Sequence, residues 1–157
     1  MNIKLVLVAK TDAKYLQEGI DIYVSRLKHY VNFEIDIIPA LKDLRNIPPE
    51  EIKEREAVQI LKRVEKSDMV VLLDEHGKQH TSVGFSQYLQ KQMNAGVRNL
   101  AFVVGGAFGF APSVYQFAQD KLSLSNMTFS HQMVRLFCVE QLYRAFTILH
   151  HEKYHNE

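Results

Sequence analysis

Three short stretches of the chain carry residue types and spacings that could do chemistry. The first, "FVVGGAFG", runs an apolar strand into Gly105, Gly106 and Gly109. Glycines there leave bare backbone that a flat or anionic ligand can approach closely. The second, "LSLSNMTF", mixes small hydroxyl and amide side chains with Met127 and Phe129. That combination can bond a base edge and cover an apolar face, which suits a neutral, bent ligand of the adenosine type. The third, "HEKYH" from His151 to His155, spells a zinc-protease pattern in which a helix puts both histidines on one face with Glu152 beside them.

Each stretch has a limit. The glycine turn is no dinucleotide fingerprint, because it follows the fourth strand and no ribose-binding acid ends the next one. It is no P-loop either, since the lysine and Ser/Thr are missing. A zinc site on "HEKYH" needs a third protein ligand, and only Asn156 and Glu157 follow. No metal is expected, and a metalloprotease is a minor alternative.

The final helical segment and tail hold a further polar set: His131, Arg135, Glu140, Arg144, Tyr154 and His155. Glu140 and Arg144 have the i,i+4 spacing of a helix ion pair. Their surroundings are almost wholly apolar, so charges there are costly unless paired or functional. His131 opens the helix, where the dipole disfavours a cationic imidazole.

The elements that must position these groups follow from the hydrophobic pattern. Strands are expected over Ile3–Ala9, Phe33–Ile38, Met69–Leu73, Leu100–Val104 and from Lys121 to Leu124. Helices are expected from an Asp12 cap to about Tyr30, after Pro48 and Pro49, over Ser82–Met93, briefly after Pro112, and from Ser130 to about His150. The mixed charges of the second helix suggest a solvated face. Alternating strands and helices argue for an α/β fold, a mostly parallel sheet covered on both faces, in one domain over residues 1–157. The usual ligand crevice of such a sheet lies at its strand ends. Three successive strands end in unusual turns: at Leu73-Asp74-Glu75-His76-Gly77, at Gly105-Gly106, and from Leu124 to Phe129. The last helix is apolar nearly all round, which calls for burial on every face and favours a homodimer.

Composition excludes several classes. The 157 residues are 46% hydrophobic and 24% charged, with a formal net charge of +1, so there is no global basic field to grip bare nucleic acid. A non-enzymatic RNA-binding module is disfavoured by the same balance and by the lack of a stacking motif. The single cysteine, Cys138, sits in an apolar helical pattern and reads as a small buried hydrophobe. The run from Leu5 to Ala9 is too short for a signal-peptide core, and the glycine-broken run from Leu100 to Ala111 cannot span a bilayer. A cytoplasmic protein without a membrane partner is expected.

Taken together, "LLDEHGK", "FVVGGAFG", "LSLSNMTFSHQMVRLFCVEQLYRAF" and a closing "YH" resemble the ribosomal RNA large subunit methyltransferase H family, small enzymes of the SPOUT superfamily. The resemblance covers essentially the whole chain. It implies a SPOUT-type α/β fold with a carboxy-terminal trefoil knot, an exception to the rule against knots. It also implies S-adenosylmethionine as methyl donor and a homodimer that methylates N3 of a pseudouridine in 23S rRNA on the ribosome. A SPOUT enzyme acting on another RNA, such as tRNA, is the nearest alternative. Position by position, the resemblance places cofactor contacts at Leu73, Gly105, Leu124, Ser125, Asn126, Met127, Thr128 and Phe129. His131, Arg135, Glu140 and Arg144 are catalytic candidates by their residue types and place in the chain; the resemblance alone adds Tyr154 and His155, with the tail completing a site across the dimer. The family pattern continues after "YH" with a basic residue, where this chain has Asn156.

Overall fold

The computed structural model describes residues 1–156. Five strands, β1 (Asn2–Val8), β2 (Asn32–Ile38), β3 (Met69–Gln79), β4 (Asn99–Val104) and β5 (Asp120–Ser123), form one sheet in the order β2-β1-β4-β3-β5. Every pairing is parallel. Five helices connect them: α1 (Lys14–Leu27), α2 (Pro49–Val64), α3 (Ser82–Asn94), α4 (Pro112–Phe117) and α5 (Met133–Leu149).

Both faces of the sheet are dry, as parallel sheets require. On one face Leu5, Leu7, Val71, Phe102 and Val104 pack against α1, α3 and α5 through Ile20, Leu89, Val139 and Leu142. On the other, Val6, Val8, Val70, Leu72, Ala101 and Val103 meet α2 and α4 through Ala57, Ile60, Val64 and Val114. The period of two along each strand therefore feeds two cores from one sheet.

Several boundaries differ from expectation for identifiable reasons. Asp12 does not cap α1: Ala13 occupies the N-cap without a side-chain bond, and the Asp12 amide donates to Gln132 Oε1 at 2.9 Å. That helix also stops at Leu27, short of Tyr30. Ser130 stands outside α5 and accepts the Met133 amide at 3.0 Å, so its hydroxyl marks the helix start from three residues upstream. Strand β3 does not end at Leu73. It shifts register between Leu73 and Lys78 and pairs with β5 again through Gln79. The segment expected as a turn is thus a bulged strand, and Gly77 shows why it can be one. A Cβ there would lie 2.6 Å from the Leu122 carbonyl carbon.

Helix α5 packs on the sheet with α1 and α3 beside it; Leu136 reaches Gly19 of α1, and Gln141 Oε1 accepts from the Ser82 hydroxyl of α3 at 3.0 Å. Neighbours within the chain therefore satisfy much of its apolar surface. The side left over carries Met133, Phe137, Glu140 and Arg144 at i, i+4, i+7 and i+11, with Phe137 37% exposed.

Candidate functional site

The bulged middle of β3 and the carboxyl ends of β4 and β5 open into one cavity of about 580 Å³. This size falls in the range of small-molecule sites. Leu73 closes it from β3, Val104, Gly105 and Gly106 from β4, and Leu122, Ser123 and Leu124 from β5. Of the residues expected to hold a cofactor, Leu73, Gly105, Leu124, Ser125, Met127, Thr128 and Phe129 all line this space. Asn126 does not, and it is exposed.

Local chemistry builds each loop. Gly109 has φ +82°, and its amide donates to the Gly106 carbonyl at 3.2 Å, closing a tight turn that an L side chain would strain. Behind the turn stands Glu56 of α2: a Cβ on Gly106 would lie 2.6 Å from its Oε1. Burial pushes the Glu56 carboxyl up from the usual carboxylate range. The third loop is braced by its own hydroxyls. Ser123 Oγ donates to the Ser125 carbonyl at 2.8 Å, Ser125 Oγ accepts the Met127 amide at 2.9 Å, and Thr128 Oγ1 donates to Glu75 Oε2 at 2.9 Å. This last bond ties the β5 loop to the β3 extension. Asp74 accepts from the Tyr115 hydroxyl and from the His76 amide. Burial raises its pKa, but these bonds outweigh that effect and hold it below its ordinary value. Burial and the Asp74 contact together push the Tyr115 phenol upward.

His131 also lines the cavity. Its pKa is lowered, first by burial and then by the Arg135 guanidinium, so the imidazole is neutral near pH 7. The cause is not a first-turn helix position, since α5 begins two residues later.

Arg135 requires a correction. It is fully buried, and its guanidinium donates to the carbonyls of His131 (3.0 Å), Ala9 (2.9 Å) and Val8 (2.8 Å) and to Thr11 Oγ1 (3.1 Å). Val8 ends β1, Ala9 and Thr11 follow it, and His131 precedes α5, so the fully buried Arg135 joins these segments.

The other four polar residues form a separate cluster. Arg144 Nη2 and Nε donate to Glu140 Oε1 at 2.6 and 3.1 Å. Tyr154 Oη donates to the same oxygen at 3.0 Å, and Arg144 Nη1 lies 3.2 Å from His155 Nδ1. The guanidinium carbon sits 4.7 Å above the Tyr154 ring, which packs edge-on against Tyr143. The tail is therefore folded onto α5, and the bond from Tyr30 Oη to Glu152 Oε2 at 2.6 Å holds its approach. None of these four residues lines the cavity at the strand ends. Arg144 lies ten residues beyond Val134, a cavity residue, which corresponds to about 15 Å along the helix.

The "HEKYH" segment is not helical. α5 ends at Leu149 and His151 has φ +58°, so His151 and His155 do not share a helix face. Glu152 is instead the acceptor for Tyr30. The geometry that a helical zinc motif requires is absent from this segment.

Sequence reasoning passed over Lys53 and Glu56, taking α2 for a solvated face. A signal for Glu56 was available: it falls four residues after Ile52 and four before Ile60, in line with the buried stripe. Lys53 also lines the cavity.

Comparison with known proteins agrees with this geometry. The family model described as "Predicted SPOUT methyltransferase" matches residues 1–155. Proteins named ribosomal RNA large subunit methyltransferase H from Flavobacterium johnsoniae and Christiangramia forsetii are 54% and 56% identical over 157 and 156 residues. The first match covers 100% of both chains and the second 99% of both. A probable methylase family protein from Haemophilus influenzae shares the fold at TM-score 0.58 and 12% identity, over 98% of this chain and 68% of that one. A putative RNA methyltransferase from Bacillus anthracis does so at 0.52 and 11%, over 93% and 95%. With a three-loop cavity at the sheet's carboxyl edge and a match running nearly its full length, the chain belongs to the SPOUT methyltransferase family.

Proposed function

We propose that this protein is an S-adenosylmethionine-dependent methyltransferase that modifies N3 of a pseudouridine in large-subunit ribosomal RNA, acting as a homodimer on the assembled ribosome. One observation carries the reading: the bulged strand at Leu73 and two loops, at Gly105 and Leu124–Phe129, converge on a single cavity in a chain of this family. The lining suits S-adenosylmethionine. Bare glycine backbone and the Ser125 and Thr128 groups offer polar contacts, while Leu73, Leu124, Met127 and Phe129 cover apolar surface. The cofactor supplies an electrophilic methyl group on a sulfonium centre.

The protein's own task is alignment and proton handling. N3 of a pseudouridine carries a proton near neutral pH, so the N–C bond forms only as that proton leaves. His155 is the candidate acceptor or positioning group for it, and Arg144 is placed to stabilise the developing imide anion. Tyr154 and Glu140 hold the guanidinium in place. Neutral His131 can accept a hydrogen bond at the cavity wall. No covalent enzyme intermediate is needed, and positioning supplies much of the rate.

A dimer accounts for the split between the two clusters. About 15 Å of helix separates them within one chain, and in this reading a partner's tail meets this chain's cavity. The half-exposed stripe from Met133 to Arg144 supports such an interface. The carboxy-terminal knot belongs to the same proposal, supported by the family match alone. A near-neutral charge favours an assembled ribosomal surface over free RNA. No helix among the described residues is long and apolar enough to cross a membrane.

The test is radiolabelled methyl transfer to ribosomes from cells lacking the enzyme, beside free rRNA and tRNA. Label in large-subunit rRNA of ribosomes, at a pseudouridine, is the expected result. Label confined to tRNA, or none in any substrate, overturns the assignment.

A further inference from the structure

We propose that Lys53 of α2 is a cofactor-binding residue whose ammonium holds the α-carboxylate of the methionine end of S-adenosylmethionine. The inference rests on the cofactor reading above and adds to it the charge that the three loops lack. Near pH 7 the ligand's amino-acid end carries a carboxylate, and a carboxylate withdrawn from water without a partner is costly. The charged or titratable residues around the cavity are Lys53, Asp74, Glu75, His76, Tyr115 and His131. Two are anions, Asp74 and Glu75, already bonded to Tyr115, His76 and Thr128. His131 is kept neutral by burial and by Arg135. His76 is bonded to Asp74, with its side chain 79% exposed. Among the described lining residues Lys53 is therefore the one permanent cation.

Its setting fits the role. The Lys53 side chain is only 17% exposed and lies at the cavity wall, while its ion-pair partner Glu50, 2.9 Å away, is 77% exposed. The Glu50 end of this i,i+3 pair stands in solvent, where it can swing away and yield its place to a ligand carboxylate. One turn further along α2, Glu56 packs against the bare backbone of Gly106. The helix is thus fixed against the glycine turn, and Lys53 is held at a set height beside it.

The experiment is calorimetric titration of the full chain and of Lys53→Gln and Lys53→Arg, using S-adenosylmethionine and its decarboxylated analogue. Thermal melting checks that each variant is folded. The wild type should prefer the carboxylate-bearing ligand. Lys53→Gln should lose about tenfold or more in affinity for it, the scale of a charge-assisted hydrogen bond, while its affinity for the analogue stays within about twofold. Lys53→Arg should keep much of the preference. Equal weakening toward both ligands by Lys53→Gln, or no change toward either, overturns the role of Lys53 while leaving the cofactor reading intact. A wild type that takes up neither ligand overturns both.

Discussion

At the scale of single residues, the cluster on α5 and the glutamate behind the glycine turn make separable predictions. His155→Ala should reduce turnover on ribosomes by about a hundredfold or more, the usual worth of a positioned acid–base group, with cofactor affinity unchanged. Rates and calorimetry on one preparation check this, and wild-type turnover removes His155 from the chemistry. Glu56 predicts a pH effect whose sign is fixed. Burial raises its folded-state pKa above the unfolded value, so the protonated form is favoured in the fold. The penalty is absent below the ordinary carboxylate range and grows as pH rises through it toward the raised pKa. Glu56→Gln should therefore melt higher than wild type at pH 8, and the gain should vanish at pH 4. Glu140 and Arg144 were legible in the sequence because charge on an apolar helix is conspicuous. Arg135, a candidate by its place in the same polar set, instead spends its charge on three backbone carbonyls and a threonine. Lys53 went unnoticed because α2 alternates charge so freely that no single cation stands out.

At the scale of elements, the strands and helices of the sheet were legible from periods of two and 3.6, and the unread part lies where backbone meets backbone. β3 continues past Leu73 because Gly77 lets the chain lie against β5, a contact between segments some forty-five residues apart. Asp74, Glu75 and His76 resemble a turn in sequence, and nothing local signals the second pairing. The two close-packed glycines therefore differ in consequence. A Cβ at position 77 meets the main chain of Leu122 and Lys121, whereas one at position 106 meets only the end of the Glu56 side chain. Gly77→Ala should cost about 3 kcal/mol, at the upper end for overpacking. Gly106→Ala should cost about 1 kcal/mol, less in a Glu56→Ala background, where the two changes couple. Urea denaturation measures all of these. Equal costs at both glycines would contradict the described approach of β3 to β5.

At the scale of the whole molecule, parallel topology followed from alternating elements, but the strand order β2-β1-β4-β3-β5 did not, because hydrophobic pattern does not say which strands pair. Nor could sequence show that intrachain neighbours flank α5 so thoroughly, leaving only a narrow stripe for a partner. Assembly as a dimer with shared sites predicts complementation. A His155→Ala chain mixed with one whose cavity is blocked by Gly105→Trp should recover about a quarter of wild-type activity after subunit exchange, since half the dimers then carry one intact site. No recovery after proven exchange would contradict the shared site. The cofactor cavity itself is tested most directly by calorimetric titration of folded wild-type protein with S-adenosylmethionine. Saturable uptake at one site per chain, abolished by Gly105→Trp in a protein that still melts cooperatively, is the predicted result. Absence of uptake by well-folded protein, or uptake untouched by filling that turn, would contradict the account.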